Sequence, residues 1–317
     1  MRFEALSLPK ARDLSTPPDD VVLHVPGRVT AVFDGATDAR KRRIHGVSFG
    51  RAAAMAAAQA TAGLPVEAAD WPVDRILSEL SAAVGRSVPP DTDGGPASTT
   101  AIIAFETHGK VRVVGLGDSG FRINNGPVEN FDLMPDRASI AARVALFEAL
   151  RKVHDAEETE AMAQRYLGFG LDQAMEDGAI SKGEALAITE MAIAAASLPG
   201  AEGEIAELLS GGLRRQYRFA NNPDARLGYG ILNGTEPICT TAVDRFVDRD
   251  SIATLELFSD GYLSAPQAAT IAEWEATHAR LEEADRHHIT DPAAVKGSTA
   301  THFFDDRTIA ILRYAEE

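Results

Sequence analysis

Three short apolar runs in this chain each end in an aspartate. Val29-Thr30-Ala31-Val32-Phe33 is a β-prone run that delivers Asp34 and turns at once on Gly35. Leu255-Glu256-Leu257-Phe258-Ser259 delivers Asp260 and Gly261, and Thr301-His302-Phe303-Phe304 delivers Asp305-Asp306 just before Thr308-Ile309-Ala310-Ile311-Leu312. Around them the pattern predicts an edge strand from Phe3 to Leu8. A hairpin of 21–25 with 29–33 is expected across the Pro26-Gly27 turn. A helix is expected from about Phe49 to Ala62, stopping at Gly63, with small alanines that allow close approach to a sheet. Asp70 is the expected cap of the next helix, with Pro72 in its first turn, the stripe Ile76, Leu77, Leu80 and Val84, and Gly85 as its stop.

After a Pro/Gly/Asp loop over 86–97, strand alternates with tight turn. Thr99 to Phe105, Val111 to Leu116 and Phe121 to Ile123 are separated by His108-Gly109 and Asp118-Ser119-Gly120 and followed by Asn124-Asn125-Gly126, which predicts an antiparallel meander. From about Ser139 to Leu213 the period changes to that of helices. Ile140, Val144, Phe147 and Leu150 share one face, Met162, Tyr166, Leu167 and Leu171 another, and Ser181 with Glu184 spells a capping box. Strands resume near Tyr229 to Leu232 and at 252–258, a helix follows over about Pro266 to Arg286, and the last strand is 307–313. Strand-rich parts thus flank a helical block. The expectation is one α+β domain over 1–317, its sheets sandwiched between helix layers, with a helical insertion at 139–213.

Charge narrows the chemistry. A formal net charge of −16 repels a phosphate backbone and argues against nucleic acid as partner. Cys239 is the only cysteine, which excludes an internal disulfide and a thiolate zinc site and leaves it a small core residue. Met1-Arg2-Phe3-Glu4-Ala5 lacks the apolar stretch of a signal peptide, and no run approaches a membrane span, so a cytoplasmic protein without membrane contact is expected.

Each aspartate alone is explained by turn chemistry. Taken together they present carboxylates at three strand ends, and clustered carboxylates repel one another unless a cation compensates them. Hard divalent cations take oxygen ligands, so the pattern predicts that Asp34, Asp260 and Asp305 meet around Mg²⁺ or Mn²⁺.

The ordered set Asp34-Gly35, Ser98-Thr99-Thr100-Ala101, Gly117-Asp118-Ser119, Ser259-Asp260-Gly261 and Asp305-Asp306-Arg307-Thr308 resembles the metal-dependent type 2C protein phosphatases over nearly the whole chain. The resemblance implies an αββα sandwich of two antiparallel sheets flanked by helices. It implies a two-metal centre in which Asp34 bridges both ions, the Gly35 carbonyl ligates one, and Asp260 and Asp305 hold the other. Asp20 would act through metal-bound water with Asp19 beside it, Asp118 would be structural, and Asp136 would help a third metal. The implied activity is hydrolysis of a phosphomonoester, the substrate being a protein phosphorylated on serine or threonine. A basic side chain should clamp the phosphate, and Arg12 or Lys10 is expected in that role. The family's Asp-Gly-His/Met-Gly-Gly loop is here Asp34-Gly35-Ala36-Thr37-Asp38, and Ser264 stands where a further acid is usual.

Other features carry weaker signals. Arg40-Lys41-Arg42-Arg43 could draw phosphorylated substrate or be a solvated loop; His45 is read as a loop residue, and His287-His288 as helix-end residues. Asn221-Asn222 and Gly228-Tyr229-Gly230 could line the site or simply turn the chain. A haloacid-dehalogenase-like hydrolase would need a second aspartate where Ala36 stands, and a parallel sheet. The rival of another class is a non-catalytic relative serving as a regulatory or binding module.

Overall fold

A computed structural model describes residues 1–38, 40–88, 95–129 and 133–314. In chain order the elements are β1 (Arg2–Leu8), β2 (Val21–Val25), β3 (Val29–Phe33), β4 (Arg43–Ile44), β5 (Val47–Ser48), α1 (Phe49–Gly63) and α2 (Val73–Ser87). Then come β6 (Ala101–Thr107), β7 (Lys110–Leu116), β8 (Gly120–Ile123), α3 (Asp136–Leu150), α4 (Ala156–Phe169), α5 (Leu171–Glu176), α6 (Lys182–Ala196) and α7 (Glu202–Gly211). The chain closes with β9 (Val243–Asp248), β10 (Thr254–Phe258), α8 (Ile271–Ala284) and β11 (Arg307–Arg313).

The chain divides into two compact units. The first comprises Met1–Phe131, Gly230–Arg280 and Asp306–Glu317; the second comprises Asp132–Tyr229 and Leu281–Asp305. The first unit holds a five-stranded sheet, order β2-β3-β6-β7-β9, and a four-stranded sheet, order β1-β11-β10-β8; every pairing in both is antiparallel.

Period-two alternation decides the layering. On β3, Val29, Ala31 and Phe33 pack with the alanines of α1 and with Ile76, Leu77, Leu80 and Val84 of α2. Val32 points the other way and joins Ile102, Ala104, Val113, Leu255, Leu257, Ala310 and Leu312 in a core between the sheets. Phe258, Ile309 and Ile311 occupy the far face of the four-stranded sheet and pack on Trp274 of α8. The result is helix, sheet, sheet, helix, as the resemblance implies.

Several local expectations are corrected. Asp70 does not cap α2: it ends a 3₁₀ turn over Val66–Asp70, and Pro72 is the N-cap without a side-chain bond. Gly85 does not stop α2, which runs on to Ser87; the glycine is there because a Cβ would come within 2.7 Å of the Gly234 backbone. The meander is a β6–β7 hairpin only. At Gly117, with φ +94° and a Cβ position 2.5 Å from Thr100, the chain turns out of one sheet, and β8 pairs with β10 in the other. Tyr229 to Leu232 makes isolated bridges rather than a strand, whereas β9, unforeseen, closes the five-stranded sheet. Half of the 86–97 loop, residues 89–94, lies outside the described residues.

The second unit is built on α3 to α7, and the Ser181–Glu184 capping box is present. Its centre is an ion pair with both side chains fully buried, Arg143 Nη1 to Glu160 Oε2 at 2.7 Å. The rest of the guanidinium donates to the carbonyls of Ala294, His287 and His288, and Glu160 accepts from the Gly297 amide. His288, just past the end of α8, is buried and bonds Glu282 at 2.8 Å. Among the described residues no helix is long and apolar enough to cross a membrane.

In the first unit, Glu256 on β10 is fully buried and accepts from Arg122 of β8 and from the Trp274 indole at 3.0 Å. Glu256→Ala should cost about 3–5 kcal/mol, because it strands a buried guanidinium. Urea unfolding of that variant beside Glu256→Gln checks the figure.

Candidate functional site

The strand ends of the first unit are tied together at one edge of the sandwich. Strand β3 ends at Asp34, whose backbone carbonyl accepts from the Thr100 amide at 2.9 Å and the Thr99 hydroxyl at 2.7 Å. Thr100 also bonds Ser119 at 2.8 Å, so two motif segments of the sequence serve to hold the Asp34 backbone. The Asp34 side chain is partly exposed.

Gly35 is buried, and a Cβ there would lie 2.5 Å from the Gly50 carbonyl carbon and 2.7 Å from the Asp19 carbonyl oxygen. A Cβ on Gly50 would in turn lie 2.6 Å from the carbonyl oxygens of Gly35 and Ala36. The start of α1 and the turn after β3 therefore meet backbone to backbone, which only this glycine pair permits. Ser48 caps α1 and donates to the Asp19 carboxylate, and Arg51 of the same first turn donates to the carbonyls of Pro18 and Asp20. Asp20 itself is buried at the start of β2.

The knot of this edge is Asp306. Its Oδ1 accepts from the Lys10 amide at 2.6 Å; its Oδ2 accepts from the Asp19 amide at 3.0 Å and from the Lys10 ammonium at 3.2 Å. The same ammonium lies 3.6 Å from the Asp19 carboxylate and donates to the Thr37 hydroxyl at 3.2 Å. Lys10 thus spans the loop after β1, the turn before β2, the loop after β3 and the start of β11.

Asp260, exposed, closes β10 beside this knot. The adjoining Gly261 is pressed on Asp306, since a Cβ would come within 1.9 Å of the Asp306 carbonyl oxygen. Ser259 and Thr308 lock the turn: the Ser259 amide donates to the Thr308 carbonyl, and the Thr308 amide donates to the Ser259 hydroxyl, both at 3.0 Å. Behind it, Glu275 of α8 accepts from the Tyr262 hydroxyl at 2.6 Å and from Arg307 at 2.9 and 2.8 Å. Burial works to raise the Glu275 pKa, but the bonds from Arg307 and Tyr262 outweigh it and hold the group below its ordinary value.

Asp305 is the last residue of the second unit, where Lys296 donates to its carboxylate at 2.5 Å. Among the described residues no three His, Cys, Asp or Glu side chains form a group able to hold a metal ion. In the first unit Lys10 pairs with Asp306 and Asp19, and in the second Lys296 pairs with Asp305.

Asp136 opens α3 in the second unit, as an acidic residue of the first helical turn. Arg12 is partly buried in the β1–β2 loop, and Asp118 is partly buried in the turn after β7. Cys239 is half-buried, and burial with the nearby Asp74 charge pushes its thiol up to about 12, an inert residue as expected.

Sequence reasoning missed Ser48, Arg51, Asp306 as the knot, and the Tyr262–Glu275–Arg307 bracket. The serine three residues before Arg51 at a helix start, and the paired glycines, were the only local signals.

No protein-family model matches the chain, and no curated protein matches it. Solved structures do. The chain is similar to serine/threonine phosphatase Stp1 from Staphylococcus aureus at 10% identity and TM-score 0.46, covering 100% of this chain and 96% of that one. It is similar to the Mycobacterium tuberculosis serine/threonine phosphatase PstP/Ppp at 16% identity and TM-score 0.43, over 98% and 97% of the two chains. The catalytic domain of PstP in complex with two manganese ions matches at 17% identity and TM-score 0.40, over 98% and 96%.

Lys10→Met should lower stability by about 1–3 kcal/mol, because it leaves the buried Asp306 carboxylate without its cation. Lys10→Arg should recover part of that loss in the same urea titration. The Glu275 bracket contributes stability that is present above the ordinary glutamate value of 4.5 and is lost as pH falls through the depressed folded value. Wild-type stability should therefore decline more steeply below that value than that of Glu275→Gln.

Proposed function

We propose that the first unit is a phosphomonoester hydrolase acting on proteins phosphorylated on serine or threonine. The observation that carries the reading is the tied edge itself. Thr37, Lys10, Asp306 and Gly261 form one chain of contacts from the β3 end to the β10 end, which brings the Asp34 and Asp260 turns to the same side of the sandwich.

The donor chemistry there suits a hard divalent cation: two carboxylates and the Gly35 carbonyl, with no thiolate or imidazole among them. Asp34, Gly35 and Asp260 are the residues that would hold Mg²⁺ or Mn²⁺. Bound there, such a cation supplies a water acidic enough to attack phosphorus near neutral pH and offsets charge on the phosphoryl oxygens. The chain's own part is to fix the Asp34 backbone through Thr99 and Thr100 and to hold the Asp260 turn through Ser259 and Thr308. Arg12, on the same loop as Lys10, would supply the guanidinium that clamps a phosphoryl group. Asp305 and Asp136 would complete the ligand set.

One observation favours a second reading, a regulatory or binding module of the same fold. Lys10 already compensates Asp19 and Asp306, which a site without metals requires.

Hydrolysis of p-nitrophenyl phosphate with Mn²⁺ or Mg²⁺, with and without chelator, separates the two, together with calorimetric titration of Mn²⁺. The hydrolase reading expects saturable metal binding and chelator-sensitive turnover. It also expects Asp34→Asn or Asp260→Asn to abolish turnover while thermal stability holds, and Arg12→Ala to raise KM. Neither metal binding nor turnover in the wild type would leave the module as the function.

A further inference from the structure

The basic run of the sequence sits beside this edge and divides into two kinds of residue. Arg42 is half-buried. Its Nε and Nη2 bond the two Asp38 carboxylate oxygens at 3.0 Å each, Nη1 donates to the Gly95 carbonyl at 3.1 Å, and the guanidinium lies 4.5 Å over the Phe49 ring. It is the anchor of the loop.

Arg40, Lys41 and Arg43 are exposed, and so is His45. Lys41 has φ 54°, and Arg43 bonds the Gly46 carbonyl at 2.8 Å, so the turn that presents these side chains is ordered by its own contacts. Both feet of the segment stand at the site: Thr37 accepts from Lys10, and Ser48 donates to Asp19.

Three outward cations within four residues are out of keeping with a chain whose 47 acidic residues outnumber 31 lysines and arginines. Such a chain repels anions in general, so a phosphorylated ligand needs a local region of opposite sign to approach. At physiological salt the influence of these charges reaches only about 8 Å, which suits a short acidic segment and not a polyanion lying across the acidic remainder.

We propose that Arg40, Lys41 and Arg43 form a docking surface for acidic side chains flanking the phosphorylated residue of a peptide substrate. The proposal deepens the hydrolase reading and rests on it for the phosphorylated residue. It gives the protein a preference for phosphorylated residues in acidic sequence.

The test is fluorescence anisotropy in chelator with two labelled phosphoserine peptides, one flanked by Asp and Glu, the other by Ala and Gly. The proteins are the wild type and Arg40→Ser/Lys41→Asn/Arg43→Ser, asparagine being chosen for the left-handed backbone at position 41. The wild type should bind the acidic peptide about tenfold more tightly at low salt, as steering by a few surface charges allows. The preference should vanish in the variant, with p-nitrophenyl phosphate turnover unchanged. Should the triple variant melt early, Arg40→Ser/Lys41→Asn, which spares the Arg43–Gly46 bond, carries the same comparison. Equal wild-type affinities, a preference that survives in the variants, or tighter binding of an oligonucleotide of equal charge would each overturn the proposal. Because binding is read without turnover, its failure is distinct from failure of the metal-dependent assay.

Discussion

The architecture of the acidic edge depends on one buried carboxylate. Asp306 collects two backbone amides and one ammonium, from segments that are nearly three hundred residues away in sequence. Charge-assisted bonds of this kind hold tightly where water is excluded, and losing one partner leaves a desolvated charge. Strands β1 and β11 could pair by register alone. What the carboxylate adds is the placement of the loops beyond them, and therefore of the turns that end in Asp34 and Asp260.

A tension follows from that placement. Acidic side chains gathered at an edge need a counter-charge, and Lys10 supplies it for Asp19 and Asp306. A divalent cation at Asp34 and Asp260 would add positive charge beside Lys10, so the lysine sets how much negative potential remains for it. The buried pair of Glu256 with Arg122, and the bracket of Glu275 with Arg307 and Tyr262, keep the opposite face of the four-stranded sheet from contributing stray charge.

The sandwich was legible because its strands obey a strict alternation. Val29, Ala31 and Phe33 face the helices while Val32 faces the second sheet, and two packed antiparallel sheets covered by helices bury both faces. The exchange of β8 between sheets was not legible, because a tight turn at Gly117 looks the same whether the chain returns to its neighbour or departs. Strand β9 escaped notice since Asp244, Arg245 and Phe246 are exposed on an edge and break the apolar pattern. At the site, the carboxylates at strand ends could be read from sequence. Their cationic partners could not: Lys10 lies 296 positions from Asp306, and nothing local announces that pairing.

The Arg143–Glu160 pair of the second unit has a consequence for how the chain can be cut. Its donors serve the carbonyls of His287, His288 and Ala294, and its carboxylate serves the Gly297 amide, all far downstream of the helices that supply the pair. The helical block is therefore no detachable cassette. Excising it would leave the stretch before Asp305 with orphaned backbone groups, and a truncated sandwich would inherit that unsatisfied strand of chain at its own threshold.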